Sequence, residues 1–166
     1  MDGLLIHSIY YGLLLSILCS IILLVSAYLN PESMVDGYPL DIQEKHGPMS
    51  EQARRHKKLA GVPFGVFLIG LLFVSIVTID EMTFLAVAVN TAVILFMFNL
   101  VDLLVLDWLI FNTVQPRFII LPGTEGMAGY RDYGFHFRKF LKGIAGALVA
   151  SLLLAAITML LVSFWS

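Results

Sequence analysis

The chain has 166 residues, 59% of them hydrophobic and only 13% Asp, Glu, Lys or Arg, with a net charge of -2 and a mean hydropathy of +0.90. A soluble globular domain carries about twice that charged fraction. The composition excludes a soluble enzyme, a disordered chain and a nucleic-acid-binding domain, which needs a basic face, and the single Cys19 excludes a disulfide scaffold.

Four runs free of these charges, 3–31, 59–79, 82–101 and 143–166, each reach the roughly 20 residues that a helix needs to cross about 30 Å of hydrocarbon. They are continuous and rich in Leu, Ile and Val, not alternating over about ten residues, and so predict helices and not a transmembrane β-barrel. The predicted spans are 4–28, 62–79, 84–112 and 139–163, an all-α integral membrane protein forming one domain. No Lys or Arg precedes the first apolar run, which is also long for a signal-peptide core, so it reads as a span and not a cleaved leader.

All ten cations fall in two groups: Lys45, Arg54, Arg55, Lys57 and Lys58 between the first two spans, and Arg117, Arg131, Arg138, Lys139 and Lys142 between the last two. The positive-inside bias then predicts a multi-pass cell-membrane protein with loops 29–61 and 113–138 in the cytoplasm and both termini outside. Tyr28, Trp108 and Trp165 stand where interfacial anchors belong.

Helices in lipid associate through close backbone contact at small residues. The first span carries Ser8, Gly12, Ser16 and Ser20 on one stripe; the second has Gly61 and Gly65, the third Ala88 and Ala92, the fourth Gly143, Ala147, Ser151 and Ala155. These seams predict an up-down-up-down four-helix bundle, or contacts with a second copy or another membrane protein.

In the first loop, Pro31, Pro39 and an Asp36-Gly37 turn break the chain before Pro48, which is expected at the first position of a helix carrying a Glu51–Arg55 pair. Its run of cations at 54–58 fixes topology and meets anionic lipid headgroups. His46 and His56 lie ten residues apart with no Cys or second His at ligand spacing, so no metal or cofactor is expected. Between the second and third spans, Thr78 and Glu81 fit a capping box.

The third span holds Asn90, Asn99, Asp102, Asp107 and Asn112. An intramembrane carboxylate is a functional candidate because an unpaired charge in hydrocarbon is costly. Twenty residues from Phe84 reach about residue 103, so Asp102 sits at the hydrocarbon edge, Asp107 among the headgroups, and only Asn90 near the centre. On an ordinary helical wheel Asp102 and Asp107 point about 140° apart, whereas Asn99 and Asp102 share a face. Asp102 is expected either to pair with a loop cation or to serve a ligand or proton site.

The second loop is apolar and aromatic for a linker. Its segment 118–121, bracketed by Pro116 and Pro122, is expected to dip into the membrane surface or pack under the bundle. No nucleotide-binding glycine pattern is present, although Arg117, Thr124 and backbone amides would suit a phosphate. Tyr130, Tyr133, Phe137 and Phe140 fall on one helical face and Arg131, Arg138 and Lys142 on the other, the pattern of an interfacial helix. His136 has Asp132 four residues earlier, a pair suited to orienting an imidazole for proton transfer.

Three classes of function follow. The first is a non-enzymatic assembly or accessory protein with a polar face for lipid or ligand. The second is a membrane-embedded enzyme acting on a lipid headgroup, with Asp102, Asp107 and His136 as acid–base groups and Asn99, Arg117, Thr124 and Arg131 as contacts. The third is a small proton-coupled oligomeric transporter gated at Asp102.

Overall fold

A computed structural model describes residues 2–165, the side chain of Trp165 lying outside the described residues. The helices are α1 (Asp2–Leu29), α2 (Leu40–His46), α3 (Glu51–Val77), α4 (Phe84–Val101, continued in wider turns by Asp102–Val114) and α5 (Tyr133–Trp165). Three short 3-10 turns lie at Pro31–Gly37, Arg117–Ile119 and Ala128–Arg131, and no strand occurs among the described residues. Four helices, namely α1, α3, the whole of Phe84–Val114 and Tyr133–Phe164, are long and apolar enough to cross a membrane.

Two spans are longer than the apolar runs predict, because capping groups rather than charge set the boundaries. The Ser50 hydroxyl accepts the Ala53 N–H at 3.2 Å, so α3 begins at Glu51, after Pro48, and its first turns contain the cationic run. Glu51 meets Arg54 at 3.9 Å instead of Arg55. The Asp132 carboxylate accepts the Phe135 N–H at 2.8 Å, so the expected interfacial helix and the fourth span are one helix with Gly134 inside it. The capping box is corrected as well: Thr83 caps α4, accepting the Ala86 N–H at 3.2 Å, while Thr78 ends α3 and donates to the Val74 carbonyl.

α4 is the hub. α1 and α5 each pack along it, and α3 lies chiefly on α1. Small residues make this approach close, as lipid-embedded helices require. A β-carbon on Gly12 would stand 2.8 Å from that of Met97, and one on Gly143 would overlap the side-chain oxygen of Asn99. Ser8, Ser16 and Cys19 of α1 and Ala147, Ser151 and Ala155 of α5 are buried in the same seams. The glycines of α3 differ: a β-carbon on Gly61 or Gly65 would meet no neighbouring helix within 4 Å, and α3 packs through Leu72, Ser75 and Ile76 instead.

One polar knot ties three spans where Asn90 is fully buried. Its side-chain oxygen lies 2.8 Å from the Ser8 hydroxyl, and its amide donates to the Ser75 oxygen at 3.0 Å. Buried polar groups need such partners, and in hydrocarbon only the protein supplies them.

Candidate functional site

The two basic loops fold onto each other at one end of the helices. Val35, Tyr38 and Ile42 of the first interlock with Leu121 and Tyr130 of the second. The Tyr38 hydroxyl donates to the Ile119 carbonyl at 2.7 Å, and Asp41 accepts the Gly129 N–H at 3.0 Å. Burial, with Tyr130 beside it, pushes the Tyr38 hydroxyl above the ordinary phenol range, so it stays a neutral donor. Segment 118–121 therefore packs beneath the spans, with Ile119 and Leu121 buried.

Tyr130 is the centre of this cap and not an interfacial anchor, being 1% exposed. Its oxygen accepts the Leu121 N–H at 2.9 Å and lies 2.8 Å from the Thr124 hydroxyl, which donates to the Leu121 carbonyl at 2.7 Å. Since one hydroxyl carries one proton, Tyr130 donates to Thr124 and the bonds close a ring. Thr124 is thereby engaged within the loop, which leaves it no free hydroxyl for a phosphate. Gly123 and Gly126, at φ 81° and 76°, supply the left-handed turns that the ring needs. Arg117 and Arg131 are exposed and make no ion pair among the described residues.

Under this cap the structure joins two of the sequence candidates. Asp107 Oδ1 lies 2.8 Å from His136 Nδ1, and the imidazole is 1% exposed, flanked edge-on by Phe111 and Phe135. The carboxylate sits off the line of the ring N–H, so the contact is one of charge more than a straight hydrogen bond, and Nε2 has no partner. Asp132, the expected partner of His136, instead caps α5 and meets Arg138 at 3.7 Å.

The winding of the helix accounts for the pairing. From Asp102 to Val114 the backbone bonds close five residues apart, and the last runs from the Gln115 N–H to the Ile110 carbonyl at 2.9 Å, with Gln115 left-handed at φ 48°. Opening the turn in this way brings residues five apart onto one side, as an ordinary helix does for residues four apart. Asp102 and Asp107 therefore share a side, contrary to the wheel expectation. The charges acting on Asp102 are that of Asp107, which repels it, and that of Lys139, which attracts it. Among the described residues no cation comes within 4 Å of Asp102, so the expected ion pair is absent. Asn99 serves packing: its amide donates to the Leu95 carbonyl at 2.8 Å and its oxygen rests on Gly143.

Around the pair, Trp108 Nε1 donates to the Tyr133 carbonyl at 3.3 Å, and its ring meets Tyr133 and Phe137. Asn112 donates to the Tyr130 carbonyl at 3.1 Å while its own oxygen is buried without a partner. A carboxylate beside Nδ1 is the arrangement that orients a histidine as a base, yet burial keeps bulk substrate away from it. Among the described residues no three His, Cys, Asp or Glu side chains are grouped to hold a metal. At the opposite end, α1 and the α3–α4 turn frame a cleft of about 520 Å3 with His7, Asp80, Glu81 and Thr83 in its lining, a grouping that no local spacing in the sequence announces. Comparison with protein-family models, with curated proteins and with solved structures finds no match to this chain.

Proposed function

We propose that this chain is a non-enzymatic assembly protein of the cell membrane, threaded up-down-up-down as a four-helix bundle with both termini outside. Its basic loops lie in the cytoplasm and meet anionic lipid headgroups through cations such as Arg54, Arg55, Arg117 and Arg131. One observation carries the assembly reading: the small-residue seams of α1 and α5 are consumed inside the chain, whereas Gly61 and Gly65 on α3 stand open beside exposed Val62, Val66 and Ile69. Such a face is what a second membrane helix approaches closely.

The test is native electrophoresis in mild detergent, with cross-linking between Gly61→Cys copies in a Cys19→Ala background. A species heavier than one 18.4 kDa chain is expected, returning to the single chain in Gly65→Leu. A single chain that neither cross-links nor retains another membrane protein overturns the reading. The orientation is tested by Arg55→Cys and Arg131→Cys, which should resist an impermeant maleimide in intact cells.

The second reading, an enzyme acting on a lipid headgroup, is favoured by the Asp107–His136 pair. It requires the head of α5 to lift so that substrate reaches Nε2. Altered lipid composition in cells lacking the protein, restored by the wild type but not by His136→Ala, is its expected signature.

A further inference from the structure

We propose that His136 and Asp107 form a proton-binding site, and that its occupancy sets how firmly the head of α5 is held on the wide-turn segment of α4. The ring is buried, lies 2.8 Å from the carboxylate, and has no well-aligned hydrogen bond at either nitrogen. With no such bond to fix the ring, attraction between an imidazolium and a carboxylate is what holds the two together, and the low dielectric of a buried site strengthens it. Without the proton, a carboxylate is left beside a neutral ring with no compensating charge, a state that burial penalises. The Asp107 side chain keeps 17% of its surface exposed, and its carboxylate gains full hydration only when the two helices part.

The winding of α4 sets the geometry of the pair. Runs of five-residue bonds are rare and mark strained or functional stretches of helix. The wide turns of Asp102–Val114 face Asp107 toward His136, whereas ordinary helical winding carries it around the axis and away. The wide winding is therefore the arrangement that a proton shared by the pair favours.

The charged neighbours are few. On α4, Asp102 shares a side with Asp107 and opposes a second negative charge there. On α5, Lys139 attracts Asp102 and donates to the Gly37 carbonyl at 3.4 Å, while Asp132 is occupied by the Phe135 N–H and Arg138. From the loops, Tyr130 lies beyond the Phe111 ring, Arg131 is exposed, and Asp36 is held by Lys57 at 2.5 Å. Histidine side chains ordinarily change charge between pH 5 and 8, which sets the range to be scanned.

Trp108 reports the joint, because it is the next residue after Asp107 and packs on Tyr133 and Phe137 of α5. The experiment uses the full chain carrying Trp165→Phe, in phosphatidylcholine vesicles, with Trp108 emission followed from pH 5 to 8.5. One transition is expected, with the emission shifting to the red as pH rises and α5 loosens. His136→Gln and Asp107→Asn should abolish it, and His7→Gln, His46→Gln and His56→Gln should leave it unchanged. No transition in the parent, or one that survives His136→Gln, overturns the proposal. Should His136→Gln fail to fold, ring-nitrogen NMR of the parent decides: a His136 ring whose protonation stays constant from pH 5 to 8 overturns it equally. The outcome is independent of whether α3 self-associates.

Discussion

Gly143 presents its α-carbon to the side-chain oxygen of Asn99, leaving no room for a β-carbon between α4 and α5. Asn99 cannot swing aside freely, because its amide is bonded to the Leu95 carbonyl. Gly143→Ala should therefore destabilise the fold by about 1–3 kcal/mol, the usual cost of overpacking. Unfolding in mixed micelles measures it, and adding Asn99→Ala should restore most of the loss by making space.

Tyr130→Phe removes the centre of the ring formed with Leu121 and Thr124. The Leu121 N–H is then buried without an acceptor, a loss of about 1–3 kcal/mol. Faster proteolysis within 113–131, with little change in overall helix content, is the expected result.

Asn90→Ala cuts the knot between α1, α3 and α4, but its neighbours have fallbacks: the hydroxyls of Ser8 and Ser75 each bond a carbonyl of their own helix. Interhelical hydrogen bonds in membranes average about 0.6 kcal/mol. Its effect in the same micelle assay should be smaller than that of Gly143→Ala, despite the complete burial of Asn90.

Glu32 accepts the Ser50 N–H and, at 2.8 Å, the Ser50 hydroxyl. The backbone bond, with lesser help from that hydroxyl and from His46, holds its carboxyl below the ordinary value of 4.5. A lowered folded value means that the stabilisation is complete above pH 4.5 and is lost as pH falls through the lower value. Glu32→Gln should melt slightly below the parent at pH 6, with the gap narrowing as pH falls below 4.5. Solvent screening keeps the effect small.

The spans were legible because each needs only a sufficient apolar length, which any order of Leu, Ile and Val supplies. The packed seams of α1 and α5 were legible from their four-residue spacing. The openness of Gly61 and Gly65 was not, since spacing does not say which partner arrives. His136 and Asp107 were each singled out, but not as partners: they are 29 positions apart, and an ordinary wheel assigns Asp107 the wrong side. A change of winding depends on the fit between whole helices, and no local pattern announces it. The role of Tyr130 was hidden similarly, because its aromatic neighbours Tyr133 and Phe137 do lie on an exposed face while it turns inward.

The wide turns from Asp102 to Val114 also hold spare length, since each residue there advances the chain less than one in an ordinary helix. Deleting one residue from 103–106 can be absorbed by tightening the coil, leaving both ends of the segment in place. The same deletion at 92–95 has no such reserve and would turn everything downstream by about 100°, so tolerance to shortening should differ sharply between the two halves of one helix.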